Sequence, residues 1–174
     1  IIVVDDGSPK EFGGIFAQLQ NLKKVTVLSH AVNLGKGAAL KTGFRYFRLH
    51  HPKALGLVTA DADGQHLVSD ILKVANAFQE NQKCLVFGTR RFDGRVPLRN
   101  RVGNLLTHWV FKVLLEIDVT DTQTGLRGIP VPLLQDLLLL RSGHYAFETD
   151  SLIESHKKGY KRIEVPISTV YFTN

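Results

Sequence analysis

The 174-residue chain has no methionine and a single cysteine, Cys84. One thiol cannot form an internal disulfide framework, which excludes a small disulfide-stapled scaffold and fits a reducing compartment. No uncharged apolar run approaches the roughly 18 residues of a membrane-spanning helix. A basic n-region ahead of an apolar h-region is also lacking, so no signal peptide is expected. Runs of about five like charges, the mark of a nucleic-acid-binding tail, do not occur. Repeats, linkers and low-complexity stretches are lacking as well.

What is present is an ordinary globular composition, 44% hydrophobic, 22% charged and 9% aromatic. That suffices for one sizeable core and a single domain over residues 1–174. Lysine and arginine (22) outnumber aspartate and glutamate (16), for a net charge of +6. Such a balance favours anionic partners: nucleic acid, phosphorylated small molecules or an anionic membrane face. Ile1-Ile2-Val3-Val4 has the look of a buried strand already under way, and with the missing methionine it suggests a fragment of a longer chain.

Short apolar runs alternate with amphipathic stretches. Strands are expected at Ile1–Val4, Val25–Leu28, Leu55–Ala60, Cys84–Gly88 and Arg162–Tyr171, the last broken by Pro166. Helices are expected at Lys10–Leu22, opened by Ser8 as N-cap and Pro9, and at Lys36–Leu49 and Ser69–Asn81. Further helices are expected at Leu98–Ile117, Val131–Leu140 and Phe147–Gly159. This order predicts an α/β domain with a mostly parallel central sheet and helices on both faces. Ligands of such sheets bind beyond the carboxyl ends of the strands. Three of the early strands end there in polar peptides: Asp5-Asp6-Gly7-Ser8, Asp61-Ala62-Asp63 and Gly88-Thr89-Arg90-Arg91.

Asp61-Ala62-Asp63 is the sharpest of these. In extended backbone, residues two apart point the same way, so both carboxylates can face one point. Like charges held that close repel unless a cation lies between them. Mg2+ and Mn2+ suit such oxygen donors, and Gln65 adds a neutral carbonyl on the same side. The bland alternative is a solvated polar turn. Asp5-Asp6-Gly7-Ser8 fits N-capping of the next helix, or a carboxylate accepting from a base N–H or ribose hydroxyl, with Gly7 permitting close backbone approach.

Asn33-Leu34-Gly35-Lys36-Gly37 sets glycines around a lysine at a helix start, a place that welcomes an anion, although it lacks the Walker A pattern. Arg90, Arg91, Arg95, Arg99 and Arg101 form a basic segment, of which one or two would meet phosphate. Trp109 and Phe111 fit core packing or a membrane-surface helix. Asp121–Arg127 and His144–Asp150 each pass for a plain turn or a helix start. No zinc-ligand spacing and no nucleophile elbow are present.

Taken in order, Val3-Val4-Asp5-Asp6-Gly7-Ser8, Asn33-Leu34-Gly35-Lys36-Gly37, Asp61-Ala62-Asp63-Gly64-Gln65-His66 and Gly88-Thr89-Arg90 resemble family-2 glycosyltransferases of the GT-A fold. Thr120–Arg127, Phe147-Glu148-Thr149-Asp150 and Glu164-Val165-Pro166-Ile167 look like the branch with dolichyl-phosphate mannose synthases and bacterial polyprenyl-phosphate glycosyltransferases. The resemblance implies a nucleotide-sugar donor (UDP- or GDP-linked) and a divalent cation, Mg2+ or Mn2+. It puts Asp5, Asp6, Gly7, Lys36, Asp61, Ala62, Arg90 and Arg101 at the donor. Asp61 would lie near ribose, sugar or metal, and Asp63 with Gln65 would hold the cation on the diphosphate.

Asp121 would lie at the reaction centre, so the catalytic pair is Asp121 and Asp63. The acceptor would be a polyprenyl phosphate, or a glycan hydroxyl, with inversion at the anomeric carbon. The protein would be cytoplasmic, peripheral on the cytoplasmic membrane face, with no nucleic-acid partner. The family usually begins one strand earlier, so an N-terminal strand is expected to be missing.

Three other classes share parts of this pattern. A phosphorylation-dependent receiver domain also pairs acids after its first strand, but Asp63 and the Gly35-Lys36-Gly37 loop speak against it. A catalytically silent sugar-nucleotide-binding module would keep the same motifs. A sugar-1-phosphate nucleotidyltransferase would need a glycine-rich basic loop near its start.

Overall fold

A computed structural model describes residues 1–90, 124–142 and 146–168. Strand β1 (Ile2–Asp5) is followed by a 3-10 turn (Lys10–Phe12), α1 (Gly13–Gln20), β2 (Thr26–Ser29), α2 (Lys36–His50) and β3 (Gly56–Thr59). After these come α3 (Val68–Glu80), β4 (Leu85–Arg90), β5 (Arg127–Pro130), α4 (Val131–Leu139), α5 (Ala146–Lys157) and β6 (Arg162–Ile167). The expected helix at Leu98–Ile117, with Trp109 and Phe111, lies outside the described residues, as do Arg91, Arg95, Arg99, Arg101 and Asp121. No described helix is long and apolar enough to cross a membrane.

The α/β class is as expected. β1 and β2 pair in parallel, with Val3 opposite Val27. The other four strands form one sheet in the order β3-β5-β4-β6, where β4 and β6 are parallel. β5 runs antiparallel to both its neighbours, so this sheet is mixed. Its sequence, Arg-Gly-Ile-Pro, carries no β-branched run; burial between two strands makes it a strand, which local propensity does not reveal.

Two other expectations are corrected. Pro166 does not break the last strand but pairs in register with Thr89. β6 is the outer strand of the described sheet, where a missing N–H costs no ladder bond. Ser8 does not cap the first helix either, because Pro9 occupies the position before the 3-10 turn and no side chain caps it. The Ser8 N–H instead donates to Asp5 Oδ1 at 2.9 Å.

Strand β4 shows why the sheet is covered on both sides. Leu85 and Phe87 join a core with Phe44 and Phe47 of α2, Leu133, Leu134 and Leu137 of α4, and Phe147 and Leu152 of α5. Val86, pointing the other way, joins Val74 and Phe78 of α3, Leu126 and Ile167. That is the period-2 alternation of a strand buried on both faces. Phe78 is seated over Gly56 and Gly128 of adjacent strands, and a β-carbon at Gly128 would lie 2.7 Å from its Cβ. The last turn of α3 is thereby fixed against the start of β3 and the middle of β5.

Candidate functional site

The carboxyl ends of β1, β2 and β3 gather the polar motifs. Since β5 is antiparallel to β3 with Arg127 opposite Thr59, the segment entering β5 runs alongside Asp61. Thr59 Oγ1 donates to the Gly125 carbonyl at 2.8 Å and fixes that neighbour.

Asp6 and Gly7 organise the next loop. The Asp6 carboxylate accepts the Leu34 N–H at Oδ1 (2.9 Å) and the Gly35 N–H at Oδ2 (2.7 Å). His30 Nδ1 lies 2.7 Å from Asp6 Oδ1, and His30 Nε2 lies 2.9 Å from Thr42 Oγ1. Burial tends to raise the Asp6 pKa, but the two backbone N–H groups and His30 outweigh it and hold the group below its ordinary 3.8. Gly7 has φ +72°, and a β-carbon there would lie 2.9 Å from Val32 Cα while overlapping the adjoining backbone, so only glycine lets the two loops touch. Asp6 therefore holds the loop that leads into α2, a helix distant in sequence, and makes no cap to the one that follows it. Asp5 turns its Oδ1 to the Ser8 N–H.

Helix α2, which follows that loop, begins with Lys36. Its Nζ lies 2.7 Å from Asp61 Oδ1, 2.8 Å from Asp61 Oδ2 and 2.7 Å from Glu148 Oε1. Three elements thus meet on one ammonium: the start of α2, the end of β3 and the first turn of α5. Burial works to raise the Asp61 pKa, yet His66 and the Lys36 ammonium bring it down to about 2. For Lys36, burial acts to lower the pKa, and Asp61 and Glu148 reverse that and raise it above the usual lysine value.

Glu148 is 5% exposed. Sequence reasoning gave this acid only the role of a helix-start residue; the available signal was an acid placed directly after the apolar Tyr145-Ala146-Phe147 stretch. Arg127, also buried, anchors that start. Its Nε donates to the Thr124 carbonyl at 2.8 Å, and Nη1 donates to the Glu148 carbonyl at 3.0 Å and to Ser151 Oγ at 2.8 Å. His66 is nearly buried, with Nε2 3.9 Å from Asp61 Oδ2 and Nδ1 lacking a hydrogen-bond partner among the described residues.

Arg101 and Asp121 lie outside the described residues, and the other expected residues are on the chain next to this cluster or at the same sheet end. Ala62, Asp63 and Gln65 are exposed, and Asp63 Oδ1 accepts the Gln65 N–H at 3.0 Å, so these two share a turn. Arg90 is the last residue of β4, at the same sheet end. Among the described residues no three histidine, cysteine, aspartate or glutamate side chains converge as a cation site. The donor set of Asp61, Asp63 and Gln65 nevertheless fits a hard divalent cation, and Asp61 already takes a cationic group, the Lys36 ammonium.

The glycosyl transferase family 2 model matches residues 1–134. The chain belongs to this family. Among family members, it is 34% identical over 189 residues to the UDP-N-acetylglucosamine–dolichyl-phosphate N-acetylglucosaminyltransferase of Methanococcus voltae, covering 98% of this chain and 74% of that protein. It is 29% identical over 176 residues to the polyprenol monophosphomannose synthase of Mycolicibacterium smegmatis, covering 97% and 65%. The fold matches glucosyl-3-phosphoglycerate synthase from Mycobacterium tuberculosis, solved with Mn2+, UDP-glucose and phosphoglyceric acid, at a TM-score of 0.71 and 19% identity. That match covers 99% of this chain and 60% of the solved one. The family-2 chain therefore has a GT-A-like fold and spans about 60–74% of the length of these proteins.

Proposed function

We propose that this family-2 chain carries the donor-binding half of a metal-dependent, inverting transfer of a sugar from a nucleotide-diphosphate sugar to a polyprenyl phosphate. The observation that carries this is the Lys36–Asp61 pair at the end of β3, on the Asp61-Ala62-Asp63 stretch, in a chain of this family. The names of the Methanococcus and Mycolicibacterium relatives support a lipid-phosphate acceptor. The Mn2+ and UDP-glucose of the solved neighbour support the donor and cation classes.

In this proposal Asp5 accepts from the nucleoside, while Asp6 acts from behind by holding the loop that delivers Lys36. Asp61 faces the sugar and ribose, and Lys36, Arg90 and Arg101 face phosphate oxygens. Asp63 and Gln65 would hold the divalent cation, which supplies charge neutralisation of the leaving diphosphate. A polyprenyl phosphate is already ionised near neutral pH, so the protein mainly orients the reactants and balances charge. Asp121, at the proposed reaction centre, would serve as a base only for a hydroxyl acceptor. Work at a lipid phosphate places the protein peripherally on the cytoplasmic membrane face.

The test is transfer of radiolabelled sugar from UDP- and GDP-sugars to a polyprenyl phosphate, run beside a panel of hydroxyl acceptors. Label in the lipid phase alone supports the proposal. Label in the glycans alone overturns the acceptor, and nucleotide binding without transfer to either points to a silent binding module.

A further inference from the structure

The Lys36 ammonium touches two carboxylates from different elements, and only one of them belongs to a motif with a proposed role. Glu148 is the other, and it is the more buried, with 7% of its side chain exposed against 28% for Asp61. A buried carboxylate persists as an anion only with a close partner, and Lys36 is the cation on it. Its backbone is fixed independently, because Arg127 grips the Glu148 carbonyl and Ser151 from β5. The acid is thus mounted on a rigid first turn, while the ammonium it holds sits at the end of a flexible four-carbon stem.

The charge count shows what this mounting does. Lys36 balances one carboxylate, and the other leaves the Asp61–Lys36–Glu148 cluster with one net negative charge, at the edge of the Asp61-Ala62-Asp63 stretch. Without Glu148 the ammonium, which already touches both Asp61 oxygens, would have no second carboxylate to hold it. With Glu148, Lys36 keeps a partner when Asp61 turns to something else.

We propose that Glu148 is a positioning residue of the donor site: it pins the Lys36 ammonium in place, so that Lys36 keeps a partner when Asp61 turns to a cation-bound nucleoside diphosphate. This rests on the donor site proposed above.

The experiment measures UDP affinity by calorimetry, with Mn2+ present, for the whole chain and for Glu148→Gln, Lys36→Met and the double variant, with thermal unfolding followed for each. Each single change is expected to weaken UDP binding by about tenfold. The double variant is expected to be no weaker than the worse single one, since both changes remove one device. Glu148→Asp, which keeps the charge but withdraws it by one methylene, is expected to weaken binding too, and it stands in if Glu148→Gln fails to fold. Additive losses, or unaltered affinity in Glu148→Asp, overturn the positioning role. If the unaltered chain binds neither UDP nor GDP with Mn2+, the donor site itself falls, and this role with it.

Discussion

The Asp61 carboxylate lies directly against the Cα of Gly125, so close that a β-carbon there would overlap both of its oxygens. Gly125 is thus the floor on which the first acid of the Asp61-Ala62-Asp63 stretch rests. Gly125→Ala would push the carboxylate off Lys36, but the colliding group is the end of a side chain and can move. The fold should therefore survive, with a change within about 1 kcal/mol, while misplacement of about an ångström lowers transfer on the order of a hundredfold. Melting curves and sugar-transfer rates on the same preparation check this. A variant that melts early and loses activity in step would mean that Gly125 serves the fold and not the site.

Adjacent acids should separate by role. Asp6→Ala strips acceptors from the Leu34 and Gly35 N–H groups and from His30, and Gly35 is buried. The expected cost is about 1–3 kcal/mol, because a buried donor is left with a poorer partner. Asp5→Ala frees only the Ser8 N–H at an exposed turn, so stability should change by less than about 0.5 kcal/mol while nucleotide affinity falls. Urea unfolding with parallel UDP titrations separates the two, and equal destabilisation by both changes would count against the assignment.

Much of this was legible in the sequence for physical reasons. The early β-α alternation is written in short apolar runs stopped by turn formers, and Lys36, Asp61 and Arg90 all fall at strand or helix ends where such sheets bind ligands. What escaped notice depended on contacts between distant segments. β5 has the composition of a turn and becomes a strand only between β3 and β4. Asp6 looks like the cap of the helix after it, yet its oxygens reach Leu34 and Gly35, a pairing that no local pattern encodes. Glu148 lies 112 residues beyond Lys36 in the chain (148 − 36 = 112), and only the packing of α5 against α2 brings the two charges together.

Acid should unlock the site in a defined window. The Asp61 carboxyl is held at about 2 in the folded chain against an ordinary value of 3.8. A depressed folded-state pKa contributes stability that is fully present above 3.8 and disappears as pH falls through about 2. For a side chain partly open to solvent, screening reduces that contribution to the order of 1 kcal/mol. Lys36→Met removes the direct cationic partner, so its stability should fall less steeply than wild type across this interval. Chemical denaturation at a series of pH values below about 4 checks the slope. Parallel curves for the two proteins would dismiss Lys36 as the source of the shift.

Asp70 ties the helix after the Asp61 stretch to the outer strand of the described sheet. It is 1% exposed in the first turn of α3, where an acid also complements the helix dipole. Its Oδ1 takes the Lys73 ammonium at 2.7 Å, and its Oδ2 takes the Ser168 N–H, just past β6, at 2.9 Å. Lys73 is half exposed, so that ion pair is worth less than about 1 kcal/mol. The bond to Ser168 holds two elements together, and since Ser168 is exposed its freed N–H can reach water, so losing the bond costs about 0.5–1.5 kcal/mol. Asp70→Ala should therefore destabilise the chain by that amount and speed amide exchange at Ser168. Asp70→Asn, whose carbonyl oxygen can still accept the Ser168 N–H, should recover most of the loss. If Asn proves as damaging as Ala while Ser168 stays protected, the charge on Asp70, and not its link to β6, is what the fold uses.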